Sequence, residues 1–139
     1  MNLPALARGL AAGFWSSLSR EGWVVIDPKV IQQMVDRIVA AVDPEGIVLF
    51  GSQARQTATE ESDVDLFIVH RGPHLRKMQR EAYRALMGRQ VAVDLLIRSP
   101  EDMAERLSWP DPFLRDIVRE GRIVYEKRGG QGMAIFSKE

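Results

Sequence analysis

The residues best suited to chemistry in this sequence are three aspartates that accompany two short apolar runs. Asp63 and Asp65 open the run 66–69, and Asp94 lies inside the run 91–97. Because residues two apart on a strand face the same side, Asp63 and Asp65 should direct their carboxylates to one place. Carboxylates held together repel each other unless a proton or a cation lies between them. Oxygen ligands of this kind suit Mg²⁺ or Mn²⁺, so the pattern predicts a divalent metal site.

Asp94 is the third carboxylate of this set. An ionised carboxylate in a buried apolar strand is unfavourable unless it has a partner. The partner could be a nearby arginine in the core, or a metal ion shared with Asp63 and Asp65. In the second case, three carboxylates on two neighbouring strands would form a two-metal site.

A second group of residues, which precedes the aspartates, suits a phosphate. Gly51 and Ser52 end the apolar run 47–50, and the residues after them favour a helical turn. Glycine lets the backbone approach a ligand closely, and free N–H groups at the start of a helix attract phosphate. Arg55 lies in this first turn and can add a charge-assisted contact. Phosphate binding beside a divalent metal is what a nucleoside triphosphate requires.

Hydrophobic periodicity predicts the elements that position these groups. Asp27 and Pro28 form a strong helix start, and Ser99 with Asp102 resembles a capping box. The order of elements predicts an α/β (α+β) domain with a small mixed β-sheet and helices packed mainly on one face. The predicted helices cover residues 28–41, 74–87, 99–107 and 113–120, and the predicted strands cover 47–50, 66–69, 90–98 and 122–126.

The composition limits the classes of function. The chain of 139 residues has 19 basic and 19 acidic residues, so direct nucleic-acid binding is not expected. It has no cysteine, which excludes disulfides and thiolate metal sites and fits a cytoplasmic protein. No apolar stretch is long enough to predict a membrane span.

Three segments follow from these patterns. We expect an N-terminal leader or short helix over residues 1–26, a domain that carries the aspartates and the Gly-Ser turn over residues 27–127, and a mobile C-terminal tail over residues 128–139. The apolar stretch 133–136 within this tail could dock on a partner or on a second copy of the chain, which makes a homo-oligomer possible.

These residues together resemble a known family. Gly51-Ser52, ten intervening residues, Asp63 and Asp65, and Asp94 on a later apolar strand look like the nucleotidyltransferase superfamily of DNA polymerase β type. The short chain is similar to the minimal nucleotidyltransferases (MNT), which are paired with HEPN proteins in toxin–antitoxin systems. The resemblance covers roughly residues 46–98.

The resemblance implies a nucleotidyltransferase fold, ATP as substrate and Mg²⁺ as cofactor, with Mn²⁺ as an alternative. It implies that Asp63 and Asp65 hold the nucleotide-bound metal, and that Asp65 bridges to a second one. Asp94 would complete the second metal site and help to deprotonate the acceptor. Gly51 and Ser52 would cradle the outer phosphates.

The same resemblance implies a partner. The chain would be an antitoxin that transfers AMP from ATP to a tyrosine of a HEPN ribonuclease toxin. Two alternatives stay open: a binding antitoxin without catalysis, or a stand-alone nucleotidyltransferase acting on a small molecule or RNA. Gln56 stands where related proteins commonly carry glycine, which favours the first alternative.

Overall fold

The computed structural model of this chain describes residues 27–55, 63–88, 91–109 and 111–136. The leader or short helix expected over residues 1–26 and the position of Gln56 lie outside these described residues. The elements that hold the predicted site residues fall within them.

The described residues form five α-helices, four strands and one 3-10 helix. Each helix and strand predicted between residues 27 and 127 is present, with bounds shifted by a few residues. None of the described helices is long and apolar enough to span a membrane. Helices α1 to α5 span Pro28–Val42, Ser52–Arg55, Leu75–Ala85, Pro100–Leu107 and Pro112–Glu120; strands β1 to β4 span Gly46–Phe50, Val64–Val69, Val93–Arg98 and Arg122–Glu126; the 3-10 helix spans Ala134–Phe136.

Three of the helices begin in the same way, which explains why their starts can be read from sequence. In α1, α4 and α5 a proline occupies the first turn, where its missing N–H costs nothing. The residue before that proline caps the helix with a side-chain oxygen that accepts a backbone N–H. These caps are Asp27, Ser99 and Asp111, with N–H···O distances of 2.9, 3.0 and 3.1 Å.

The four strands form one mixed sheet in the order β3-β2-β1-β4, which confirms the predicted sheet type. Strand β1 is antiparallel to both β2 and β4, whereas β2 and β3 are parallel and are connected through α3. The end of β1 therefore lies beside the start of β2, and the start of β3 lies at the same end of the sheet. This topology brings the Gly-Ser turn and the aspartates together.

Helices cover both faces of the sheet. The larger core cluster joins α1 and α3 to alternate strand residues such as Leu49 and Leu66. A smaller cluster on the opposite face joins α4 and α5 to Val48 and Phe67. The sequence predicts helices mainly on one face, and the face covered by α1 and α3 does have the larger core cluster. The prediction does not include the second helical layer, α4 and α5, which covers the other face because the strands are apolar on both sides.

The C-terminal segment differs from the mobile tail expected over residues 128–139, as far as the structure describes it. Met133 and Phe136 are 2% and 4% exposed and pack in the smaller core cluster. The Met133 side chain occupies the space where a Cβ at Gly46 would lie. The side chains of Met133 and Phe136 are therefore used for packing within their own chain.

Candidate active site

Two of the three predicted aspartates are direct neighbours in the sheet. Asp65 on β2 and Asp94 on β3 are paired in the parallel register, so their side chains leave the same face. Asp63 lies immediately before β2 and is exposed, as is Asp94, whereas Asp65 is partly buried. The structure thus brings together carboxylates that are 29 residues apart in the chain.

Gly51 brings the end of β1 against Asp65. Phe50, the last residue of β1, is paired with Asp65 in the antiparallel register. Gly51 follows with a φ of +75°, in the left-handed region that favours glycine. A Cβ built at Gly51 would overlap the Oδ2 atom of Asp65. The backbone of the Gly-Ser turn therefore lies against the partly buried carboxylate.

The predicted phosphate-binding turn continues into α2, a single helical turn. Ser52 begins this helix and Arg55 ends it, whereas the sequence predicts the helical turn after the Gly-Ser pair. The guanidinium of Arg55 forms a long ion pair with Glu120 on α5, with a distance of 3.7 Å between Nη1 and Oε2. Its side chain is half exposed, so this pair contributes little stability and leaves Arg55 free to reorient.

Arg122 also supports this turn, although the sequence does not predict it for the site. Its Nε donates a hydrogen bond of 3.2 Å to the backbone oxygen of Ala54. The last carbonyl groups of a helix have no hydrogen-bond donor within the helix. The guanidinium of Arg122 is the donor for one of these carbonyl groups, that of Ala54. Arg122 lies at the start of β4, opposite Leu49 of β1. Its closeness to the Gly-Ser turn depends on the pairing of β4 with β1, which the sequence does not reveal.

The electrostatics of the site centre on Asp65. Its pKa is raised above the usual range, first because burial disfavours the ionised form. The negative charges of Asp94 and Asp63 raise it further, whereas the positive charge of Arg55 lowers it. The site therefore concentrates negative charge around a carboxylate that is partly removed from water.

These carboxylates fit a divalent cation by their chemistry, although they do not form a complete cluster. Asp65 and Asp94 are hard, anionic oxygen donors of the type that Mg²⁺ and Mn²⁺ prefer. Within the described ranges, no group of three acidic, histidine or cysteine side chains is placed to hold a metal ion. Asp63 precedes the first residue pair of the β2–β3 ladder, Val64 with Val93, so strand pairing does not fix its direction.

Tyr83 is a further residue of this region that the sequence does not predict for the site. Its hydroxyl lies 3.4 Å from Oδ1 of Asp94 and 2.9 Å from the backbone nitrogen of Leu95. The periodicity of α3 places Tyr83 outside the apolar stripe of that helix, so no local signal connects it with the third aspartate. Only the packing of α3 along β3 reveals the contact.

The sequence is similar to those of a known family and of a known protein. Residues 30–125 match the family model described as nucleotidyltransferase domain. A protein of Methanocaldococcus jannaschii, provisionally named a protein adenylyltransferase, is 33% identical over 79 residues, which make up 57% of this chain and 76% of that relative. The family match runs from α1 to β4 and includes every predicted site residue.

A solved structure is also similar. It belongs to a Sulfolobus solfataricus protein provisionally described as a nucleotidyltransferase. The TM-score is 0.49 at 17% sequence identity, over 86% of this chain and 90% of that one. At this TM-score the likeness adds no weight to the family match.

Proposed function

Because this chain belongs to the nucleotidyltransferase domain family, we propose that it transfers AMP from ATP to a hydroxyl group of another protein. The observation that carries the proposal is that three groups lie side by side at one end of the sheet. These groups are the backbone of Gly51, the partly buried Asp65 and its register partner Asp94. Together they put a glycine turn beside paired carboxylates, the combination that a metal-bound triphosphate requires.

The proposed residues divide the work of nucleotide binding between two sides of the site. On the phosphate side, Gly51 lets the triphosphate approach the backbone, Ser52 offers a donor, and Arg55 can turn from Glu120 toward the phosphates. On the other side, Asp63, Asp65 and Asp94 would hold Mg²⁺ or Mn²⁺, which supplies charge screening for the triphosphate and activation of the acceptor hydroxyl.

The chemical step is an in-line substitution at phosphorus. The acceptor oxygen forms a bond to the α-phosphorus while the bond from that phosphorus to the bridging oxygen of the β-phosphate breaks, and pyrophosphate leaves. Asp94, which is exposed on the edge strand, would take the proton of the acceptor hydroxyl. Positioning and electrostatic stabilisation supply most of the rate enhancement in transfers of this kind.

The exposure of the site supports a protein acceptor. Asp63 and Asp94 are both exposed, so a hydroxyl on the surface of another protein can reach them. The provisional name of the Methanocaldococcus jannaschii relative, protein adenylyltransferase, is in line with such an acceptor. By resemblance to the minimal nucleotidyltransferases, the proposed acceptor is a tyrosine of a HEPN ribonuclease toxin in the cytoplasm, and this chain is its antitoxin.

The test is transfer of label from ATP carrying ³²P at the α-phosphate, with Mg²⁺, to a HEPN protein encoded beside this chain or co-expressed with it. We expect label on a tyrosine of the partner and loss of its ribonuclease activity. If the ribonuclease is inhibited without label on either protein, the chain acts by binding alone. If label appears on RNA or on a small molecule but not on protein, the assignment of the acceptor is wrong.

A further inference from the structure

Strand β3 is an edge strand, and helix α3 covers the free edge beside Asp94. Among the strands that the structure describes, β3 has a partner on one side only, β2. On the other side, the amide of Gln79 donates to the backbone oxygen of Leu95 at 2.8 Å, and the backbone nitrogen of Leu95 donates to the hydroxyl of Tyr83 at 2.9 Å. Two side chains one helical turn apart thus satisfy both polar groups of one peptide position.

The hydroxyl of Tyr83 has a second role that Gln79 lacks. Since its oxygen already accepts the N–H of Leu95, its own proton is available to a second partner. The hydroxyl donates this proton to Oδ1 of Asp94, at a distance of 3.4 Å. The phenol therefore ties the backbone of β3 and the carboxylate of Asp94 to the same point on α3.

Resting on the proposed function, we infer that Tyr83 is a positioning residue that orients the carboxylate of Asp94 for metal binding and for the acceptor hydroxyl. The Asp94 side chain is exposed and lies on an edge strand, where, among the described residues, only β2 pairs with its backbone. A phenol donor on one carboxylate oxygen limits rotation of the group and leaves the other oxygen for a ligand. Hydrogen-bond partners behind metal ligands act in this way in other proteins.

The structure supplies two matched controls for a Tyr83→Phe variant. Gln79→Leu removes the other hydrogen bond from α3 to Leu95 and leaves Asp94 untouched, so it reports the purely structural effect of loosening the edge. Tyr125→Phe removes the only other tyrosine hydroxyl of the chain, which is buried and has no partner among the described residues. It reports the effect of losing a phenol elsewhere.

The experiment measures Mn²⁺ binding to the full chain by electron paramagnetic resonance, together with kcat and KM for ATP in the transfer assay. For Tyr83→Phe we expect Mn²⁺ affinity and kcat to fall by about tenfold, as is common when a partner of a metal ligand is lost. We expect KM for ATP to change by less than about twofold, because the hydrogen bonds of this phenol go to Asp94 and Leu95 on β3. Both controls should keep Mn²⁺ affinity and kcat close to wild type.

The outcomes separate this inference from the proposed function. Unchanged Mn²⁺ affinity in Tyr83→Phe, an equal loss in Gln79→Leu, or no Mn²⁺ binding by the wild type would overturn the role of Tyr83. If the wild type binds Mn²⁺ but labels no protein, the proposed function fails. The role of Tyr83 in orienting Asp94 is then still decided by the Mn²⁺ affinities of the three variants.

Discussion

Gly51 and Asp65 are packed so closely that position 51 cannot carry a side chain without moving the carboxylate. The glycine has a φ of +75°, and a Cβ there would overlap Oδ2 of Asp65. Two separate requirements therefore keep glycine at this position: the left-handed backbone and the contact with Asp65. The first is local and recognisable from a Gly-Ser turn, whereas the second depends on the pairing of β1 with β2.

The contact predicts that Gly51→Ala damages both stability and activity. A left-handed alanine costs about 1 kcal/mol, and the overlap with Asp65 adds to that cost. Urea unfolding and the transfer assay would measure the two effects. Gly129→Ala is a matched control, because Gly129 has a φ of +76° with nothing within 4 Å of its Cβ position. Equal losses of stability in the two variants would contradict the contact.

Asp65→Asn should abolish transfer and stabilise the fold at neutral pH. Because the pKa of Asp65 is raised in the folded protein, its ionised form is less favourable there than in the unfolded chain. Asparagine removes that charge at nearly constant shape. We expect the free energy of unfolding to rise by up to about 1 kcal/mol, as is typical when an unfavourable residue of a functional site is replaced.

The stability advantage of Asp65→Asn should depend on pH. As the pH falls through the raised pKa, the wild type also becomes neutral at Asp65, so the advantage of Asp65→Asn should shrink towards zero. This advantage can be measured as the difference in the midpoint of thermal unfolding between Asp65→Asn and the wild type, with EDTA present, from neutral to acid pH. A variant less stable than wild type at neutral pH would contradict the electrostatic account.

The C-terminal segment should depend on Glu45. This side chain is 9% exposed, accepts the backbone N–H of Gly132 at 3.2 Å and pairs with Arg71 at 3.3 Å. Glu45→Ala leaves a buried donor unsatisfied, and we expect a loss of about 1–3 kcal/mol in the free energy of unfolding. Arg71→Ala, which removes only the half-exposed partner, should cost less than about 1 kcal/mol. Equal losses in the two would contradict this assignment.

Arg122 should act on nucleotide binding through the Gly-Ser turn. Arg122→Ala removes the hydrogen bond to Ala54 and loosens α2, so we expect KM for ATP to rise by about threefold to tenfold, in line with one lost hydrogen bond. Arg122→Lys keeps the charge but cannot reproduce the Nε contact, and it should lie between Arg122→Ala and the wild type. If KM is unchanged in both variants, Arg122 has only a structural role.

The sequence predicts those features that depend on neighbouring residues. Helix starts at Asp27 and Ser99 follow from capping chemistry, and apolar runs locate all four strands. Two apolar strands that carry aspartates are also enough to suggest a shared site. The register of Asp65 with Asp94 is not available locally, because a parallel pair is set by a crossover helix and by packing on both faces.

The features that the sequence does not predict depend on distant contacts. Residues 128–132 are polar and rich in glycine, which locally indicates a loose tail. In the structure a Cβ at Gly132 would collide with the Glu45 side chain, 87 residues away, so glycine there permits packing. The contacts of Tyr83 cannot be predicted from the sequence for a related reason. Its partners Asp94 and Leu95 lie on β3, and the position of β3 relative to α3 is set by the whole sheet.

The most direct test of the central claim compares wild type, Asp65→Asn and Asp94→Asn in transfer of α-labelled AMP to the HEPN partner, with Mg²⁺ and at matched folded concentrations. We predict that the wild type labels the partner, that label disappears in both variants, and that pyrophosphate release falls in parallel. Label that persists in Asp65→Asn or Asp94→Asn would contradict the assignment of these carboxylates as the catalytic pair.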